Sequence, residues 1–224
     1  MIDYTPVMLS VDHPHPELEK WVVDRFERLN GRRPIVIRRE DLPREALLGH
    51  YEWAKAWIWD VVPNNVNRIM FLDYDIVPLR PFPPDAIPDV PFAACLDNQG
   101  QLNAYCALYP VFDRGGGVFN GGFFIARRDT RPSFDILKSF LTVREDTSFA
   151  GRDEQIVLNH LIQATVGVHW LPQHYHWLAS LDVPLVDRSI LMHPCGKQDA
   201  RWPLMHTLRS ALGLELIGEQ WATR

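Results

Sequence analysis

Two aspartates one residue apart stand directly after a short apolar run. Residues 69–72 are Ile, Met, Phe and Leu, and Asp73 and Asp75 follow them. Because side chains alternate along an extended chain, the two carboxylates project to the same side. Like charges held this close repel, so the pair calls for a cation, and an all-oxygen site of this kind suits Mg²⁺ or Mn²⁺. The same pattern also occurs in solvated turns and helix caps, so its meaning depends on the residues that accompany it.

A later apolar run is interrupted by small and polar residues. Residues 118–126 are apolar except for Asn120, Gly121 and Gly122. Glycine weakens a strand, and it commonly marks either a bulge or a place where a ligand approaches the backbone. Both interpretations stay open for this pair. The glycines do not form a Gly-x-Gly-x-x-Gly pattern, so the sequence has no dinucleotide-binding fingerprint.

Polar side chains at the ends of other predicted elements are further candidates. Glu154 and Gln155 open a predicted helix, where acidic residues also serve simply to complement the helix dipole. His193 ends the last strand-like run, and Gly196 and Lys197 follow it. Each of these groups stands at an element boundary, which is where α/β proteins usually bind their ligands.

A lysine and two histidines have simpler interpretations. Lys55 lies in a Trp-rich helical stretch, where a lysine commonly extends its ammonium group into solvent. His174 and His176 stand two residues apart, a spacing that could bind a metal, but no third ligand is nearby. We expect the two histidines to form an aromatic wall or an ordinary edge of the core.

The elements that must position these residues alternate between strands and helices. The chain opens with a strand, a helix and a strand, the unit that builds parallel sheets through a right-handed crossover. Predicted strands cover residues 6–11, 34–37, 69–72, 92–97, 118–126, 166–171 and 189–193. Predicted helices cover residues 17–29, 44–61, 132–141, 153–162 and 203–214. We therefore predict an α/β fold with a doubly wound, mostly parallel central sheet and helices on both faces.

Length and composition narrow the class of protein. With 224 residues, of which 46% are hydrophobic and 23% charged, the chain suits one soluble globular domain. No apolar run approaches the roughly 18 to 20 residues that span a bilayer, and no leader is recognisable, so we expect no transmembrane segment and a cytoplasmic protein. The net charge of −5, without a basic cluster, argues against nucleic-acid binding. Three cysteines without a Cys-x-x-Cys spacing predict reduced thiols.

The order of these motifs resembles glycosyltransferase family 8, the group that includes glycogenin and bacterial lipopolysaccharide galactosyl- and glucosyltransferases. In that family a buried strand ends in an Asp-x-Asp motif, which Asp73 and Asp75 match. A lysine on the preceding helix contacts the sugar donor, and Lys55 stands at the corresponding place. A Phe-Asn-x-Gly strand follows in the family and is matched by residues 119–122.

The remaining two motifs of the family match less completely. An Asp-Gln-x-x-Leu-Asn helix start is matched by residues 154–159, with Glu154 in place of the aspartate. A His-x-x-Gly-x-x-Lys-Pro-Trp motif is matched at residues 193–196, after which Lys197 comes two residues early and Trp202 lies beyond the expected position. The carboxy-terminal motif is thus the one in which this chain departs most from the family pattern.

The resemblance implies a fold, a reaction and a site. It implies a single GT-A-type domain over residues 1–224, with a nucleotide and metal core at about 1–126 and an acceptor side at about 127–224. The implied reaction is retaining transfer of a hexose from a nucleoside-diphosphate sugar, with UDP as the favoured nucleotide, to a carbohydrate, lipid-linked or protein acceptor. The implied cofactor is Mn²⁺, or Mg²⁺. The implied site consists of the metal ligands Asp73, Asp75 and His193, the donor-binding residues Lys55, Asp73, Asn120, Gly121, Gly122, Gly196 and Lys197, and the catalytic candidates Glu154, Gln155 and Lys55.

Two other classes of protein fit part of the pattern. Phosphatases of the haloacid-dehalogenase type also place Asp-x-Asp-x-Thr/Val after a buried strand, and residues 73–77 match that string. Those enzymes carry the motif on their first strand, whereas two predicted strands precede it here. A non-catalytic carbohydrate-binding protein is the second alternative, because the aromatic residues at 170–177 could stack on sugars.

Overall fold

A central sheet organises the chain. The computed structural model describes residues 3–11, 14–48, 51–83, 85, 87–97, 117–142, 152–178, 189–194 and 201–212. Within these residues the strands are β1 (Thr5–Leu9), β2 (Ile35–Ile37), β3 (Arg68–Asp73), β4 (Val77–Pro78), β5 (Phe92–Leu96), β6 (Phe119–Arg127), β7 (His169–Leu171), β8 (His176–Leu178) and β9 (Leu191–His193).

The central sheet has six strands in the order β2-β1-β3-β6-β5-β7. β1 pairs in parallel with β2 and β3, and β5 with β7, whereas β6 runs antiparallel to both of its neighbours. The predicted mostly parallel sheet is therefore confirmed. Because β6 is reversed, its amino end lies beside the carboxyl end of β3, with Phe123 opposite Leu72. This edge collects both the Asp-x-Asp and the Asn-Gly-Gly residues, at the point where the winding of the sheet reverses between β1 and β3.

A second, three-stranded sheet has the order β4-β9-β8. β9 pairs antiparallel with β4, where Met192 lies opposite Val77, and parallel with β8. The predicted last strand, residues 189–193, therefore pairs outside the central sheet that carries Asp73. His193 reaches the aspartates through the small sheet instead, because β4 begins two residues after Asp75 and pairs directly with β9.

Helices cover both faces of the central sheet, as predicted. They are α1 (Pro16–Asn30), α2 (Ile58–Val61), α3 (Arg131–Thr142), α4 (Arg152–Thr165) and α5 (residues 201–212). Shorter 3₁₀ turns cover Arg39–Asp41, Arg44–Leu47, Tyr51–Trp57, Arg128–Thr130 and Gln173–Tyr175. α1 shows how the sequence specifies such a helix, since a proline opens it and Gly31 closes it with a φ of 66° that favours glycine. In the part of the chain that is described, no helix has the length and apolar character needed to cross a membrane.

Two apolar clusters lie on opposite faces of the sheet. Along β3, Ile69 and Phe71 point to the cluster that α3, α4 and the Tyr51–Trp57 turn cover, while Met70 and Leu72 point to the other face. Burial on both faces explains why β3 is a continuous apolar run rather than an alternating one. Burying one such large side chain stabilises the fold by about 1.5 to 3 kcal/mol.

The predicted helix over residues 44–61 is wrong. The segment forms the 3₁₀ turns Arg44–Leu47 and Tyr51–Trp57, and α2 supplies a single α-helical turn. Residues 53–59 are buried without a polar face. Tertiary packing around the tryptophans therefore outweighs the local helical preference that the sequence suggested. The simpler interpretation of Lys55, a lysine that extends into solvent, is excluded, because only 3% of this residue is exposed.

Candidate active site

Three predicted metal ligands lie together at the carboxyl edge of the central sheet. Asp73 ends β3, Asp75 lies in the turn before β4, and His193 ends β9. Ligand atoms of the three side chains all lie within 4.8 Å of one another. Two carboxylates and one imidazole form a hard, mixed oxygen and nitrogen donor set, which suits Mn²⁺ better than a metal that seeks thiolates.

Asp75 is the most strongly paired of these ligands. Its Oδ1 lies 3.1 Å from Nε2 of His193, and its Oδ2 lies 3.2 Å from Nε of Arg201. Burial alone would raise the pKa of Asp75, but the charge and hydrogen bond of His193 and the charge of Arg201 lower it to about 2. Asp75 is therefore ionised at all physiological pH values, as a metal ligand must be.

Asp73 has a different electrostatic environment from Asp75. Burial raises the pKa of Asp73, the ammonium group of Lys55 opposes this shift, and repulsion from Asp75 adds to it. A cation between the two carboxylates would relieve that repulsion. The donor set and the charge balance of this structure therefore both fit a divalent metal ion.

A buried lysine stands behind Asp73. Nζ of Lys55 lies 3.9 Å from Oδ1 of Asp73 and 3.4 Å from Oε2 of Glu154, and it donates a hydrogen bond of 3.1 Å to the carbonyl oxygen of Gly121. Burial disfavours the charged amine, but the surrounding carboxylates raise the pKa of Lys55 above its ordinary value. Burial raises the pKa of Glu154 to about 8. Lys55 therefore places a permanent positive charge beside Asp73, a candidate metal ligand.

Gln155 connects α4 to the amino end of β6. Its Oε1 accepts a hydrogen bond of 2.9 Å from the backbone N–H of Gly121, and its Nε2 donates one of 2.7 Å to Oδ2 of Asp97. Asn120 accepts a hydrogen bond of 2.9 Å from the backbone N–H of Gly122. Nδ2 of Asn120 also donates a hydrogen bond of 3.4 Å to Oδ2 of Asp97, so five residues from α4, β6 and the end of β5 form one polar network at the edge of the sheet.

The two glycines of β6 serve close packing at an irregular point of the strand. The register between β5 and β6 shifts in this part of the sheet, so the strand is irregular around the two glycines, as the first interpretation of the sequence pattern expects. A Cβ atom on Gly122 would lie 2.4 Å from Cε1 of His193, and one on Gly121 would lie 3.2 Å from Nζ of Lys55. The groups that approach the backbone here are side chains of the chain itself, and the approach of a ligand stays a prediction.

His176 lies directly against His193. Its Nε2 is 3.2 Å from Nδ1 of His193, and the two rings stack with centroids 5.2 Å apart. His176 is fully buried, and burial, followed by the nearby His193, lowers its pKa well below the ordinary value. A neutral His176 can accept a hydrogen bond from Nδ1–H of His193, which would leave Nε2 of His193 as the ligand atom.

We expect His176→Ala to weaken Mn²⁺ affinity about 10- to 100-fold, because a ligand histidine that loses its hydrogen-bond partner is less well oriented. Mn²⁺ titration followed by electron paramagnetic resonance measures this affinity. His174→Ala is the matched control, since His174 packs on Tyr175 instead. His176→Gln should restore part of the affinity through its carbonyl oxygen. If His176→Ala binds Mn²⁺ like the unmodified chain, the contact does not orient His193.

Two of the predicted site residues, Gly196 and Lys197, lie outside the described residues. Two residues that contact the candidate site, Arg201 and Asp97, were not predicted from the sequence. The available signal for Arg201 was the Arg-Trp pair that follows the incomplete carboxy-terminal motif, and the signal for Asp97 was its place after a buried strand, which resembles that of Asp73.

The fold is shared with solved glycosyltransferases. A glycosyltransferase involved in glycosylation of the major capsid of PBCV-1 aligns over 90% of this chain and 99% of its own, with a TM-score of 0.61 and 15% identity. The galactosyltransferase LgtC, in complex with donor and acceptor sugar analogues, aligns over 92% and 95%, with a TM-score of 0.59 and 15% identity. GlyE from Streptococcus pneumoniae aligns over 98% and 64%, with a TM-score of 0.57 and 15% identity. No protein-family model and no curated protein matches the sequence. The chain therefore has the GT-A type of α/β fold.

Proposed function

We propose that this chain is a metal-dependent, retaining glycosyltransferase of the family 8 type. It would move a hexose from a nucleoside-diphosphate sugar, with UDP as the favoured nucleotide, to a carbohydrate, lipid-linked or protein acceptor. The observation that carries the proposal is the convergence of Asp73, Asp75 and His193 at the carboxyl edge of a GT-A-type sheet. The proposal treats residues 1–224 as one domain, with the nucleotide and metal core at about 1–126 and the acceptor side at about 127–224.

Positive charge around the proposed diphosphate site supports this reaction. Sugar transfer builds negative charge on the leaving diphosphate, and a bound divalent cation supplies Lewis-acid stabilisation worth several kcal/mol. Asp73, Asp75 and His193 would hold that cation. Arg201, 3.2 Å from Asp75, would add fixed positive charge in the role that the sequence suggested for Lys197.

The residues behind the metal ligands would position the donor. Lys55 would hold Asp73 and the carbonyl of Gly121 in place. Glu154 is only 2% exposed, so it would act through Lys55 as a positioning residue. Gln155 is partly exposed and would line the reacting face. The family resemblance implies retention of configuration, and a front-face route through an oxocarbenium-like state requires no protein nucleophile.

We expect calorimetric titration to show that UDP binds in the presence of Mn²⁺ and does not bind after EDTA treatment, because Asp73, Asp75 and His193 would hold a cation whose charge offsets that of the diphosphate. The same titration with GDP tests nucleotide preference. A screen of UDP- and GDP-sugars for nucleotide release, with Mn²⁺ and with EDTA, then identifies the donor. Equal UDP and GDP binding with and without metal would remove the metal from the proposed function.

The alternatives predict different outcomes in the same assays. A haloacid-dehalogenase-type phosphatase would release phosphate from a phosphomonoester and leave the sugar nucleotides intact. A non-catalytic carbohydrate-binding protein would bind free sugars and release no nucleotide from any donor. Metal-dependent nucleotide release without phosphomonoester hydrolysis is the result that separates a glycosyltransferase from both.

A further inference from the structure

A second group of metal-ligating side chains lies outside the site described above. His15, Glu17 and His206 place their ligand atoms within 4.8 Å of one another. Nδ1 of His15 lies 3.6 Å, and Nε2 of His206 lies 3.9 Å, from the same oxygen of Glu17, Oε1. The two imidazole rings meet edge to face, with centroids 5.5 Å apart. Three ligands thus converge from the start of α1 and from α5, elements far apart in the chain.

We propose that this group is a second metal site, which binds Zn²⁺ or a similar borderline transition metal. Two imidazoles and one carboxylate are a common three-ligand set for zinc, with water in the fourth position. They differ from the carboxylate-rich set of Asp73, Asp75 and His193, which suits a harder cation. The two sites should therefore be distinguishable by the metal that each prefers.

The distances from Glu17 to the two histidine nitrogens are compatible with zinc, and the nitrogens themselves lie within 4.8 Å of each other. With bonds of about 2.0 to 2.1 Å and tetrahedral angles, neighbouring ligand atoms lie about 3.3 Å apart. The observed separations of 3.6 Å and 3.9 Å exceed this value by a few tenths of an ångström, which small side-chain rotations can close. The side chains of His15, Glu17 and His206 are 33%, 48% and 46% exposed, so water can reach an open coordination position.

Metal binding at this site would fasten α5 to the start of α1. Trp202, in the first turn of α5, packs its ring 4.9 Å from that of His15 and stacks 5.9 Å from that of Tyr74, between the two aspartates of the candidate active site. The neighbouring Arg201 forms the ion pair with Asp75. α5 therefore carries one ligand of the second site together with Arg201 and Trp202, which contact residues of the candidate active site. The proposal of a second metal site does not depend on the sugar-transfer proposal.

The test measures zinc binding by competition with a chromogenic chelator, on the whole 224-residue chain without a histidine tag. His206→Gln should remove one equivalent of bound zinc, and Glu17→Gln should weaken the same equivalent about tenfold or more. His169→Gln is the matched control, because His169 is exposed and belongs to neither cluster, so it should bind zinc like the unmodified chain. With Co²⁺, the visible absorption of a four-coordinate site should disappear in His206→Gln and persist in His193→Gln.

Amide hydrogen exchange reports whether the metal fastens the helix. Zinc should slow exchange in residues 201–212 of the unmodified chain and should have no such effect in His206→Gln. Unchanged zinc stoichiometry and affinity in His206→Gln would overturn the proposal. Loss of zinc in His193→Gln alone would overturn it as well, since the first cluster would then be the site that binds zinc. Neither result affects the Mn²⁺-dependent UDP titration, so the two proposals can fail separately.

Discussion

Asp75→Asn should abolish Mn²⁺-dependent nucleotide release while the fold remains intact. Asparagine keeps the shape of the side chain but carries no charge, and an amide oxygen is a weaker ligand for a hard cation. Because a bound divalent cation would contribute several kcal/mol to the stability of the transition state, its loss should lower turnover at least about 100-fold. Turnover and circular dichroism measured on the same sample separate loss of activity from loss of structure.

Because Asp75 is buried and paired, Asp75→Asn should lower turnover more than the same substitution at an exposed carboxylate. Asp75 is the shared partner of His193 and Arg201, and its pKa of about 2 keeps it charged. Asp129→Asn is the matched control, since Asp129 forms an exposed ion pair with Arg127 at the far end of β6. The control should keep full turnover. Retained turnover in Asp75→Asn would mean that the Asp-x-Asp sequence is a structural turn.

The candidate metal ligands could be predicted from the sequence to different degrees. The positions of Asp73 and Asp75 could be predicted from the local sequence. Side chains alternate along a strand, and the first polar residues after a buried strand lie at the edge of the sheet. His193 could be proposed as a metal ligand only from the order of motifs that the chain shares with the family. Its contact with Asp75 depends on β4, β8 and β9, strands of two or three residues that leave no periodic pattern in the sequence. His176 was set aside for the same reason.

The central strands were predictable because burial on both faces leaves continuous apolar runs. The direction of β6 was not, since a buried antiparallel strand has the same pattern as a buried parallel one. That direction matters for the site, because the reversal brings Asn120 and Gly121 to the end of β3. In the Tyr51–Trp57 turn the sequence pattern was misleading instead. The sequence does contain a helical spacing there, but dense packing of aromatic side chains overrides it.

Lys55→Met should destabilise the protein by about 3 to 5 kcal/mol, because it leaves the buried Glu154 and the partly exposed Asp73 without their counter-charge. Methionine retains most of the length of the lysine side chain beside Phe71. What is lost is the positive charge 3.4 Å from Glu154 and 3.9 Å from Asp73. Urea denaturation gives the free energy of unfolding. Lys20→Met is the control, and it should cause no measurable change because Lys20 pairs with Asp24 at an exposed position.

The loss caused by Lys55→Met should be larger at pH 9 than at pH 7. Burial gives Glu154 a pKa of about 8 in the unmodified chain, against an ordinary value of 4.5, and removal of the ammonium group of Lys55 should raise this pKa further. Below that pKa both folded proteins keep the proton on Glu154, so the free energies of unfolding of the unmodified chain and of the variant fall in parallel as pH rises. Above it the folded unmodified chain releases the proton while the folded variant retains it, so only the stability of the variant continues to fall. Equal losses at the two pH values would show that the charge of Lys55 does not balance Glu154.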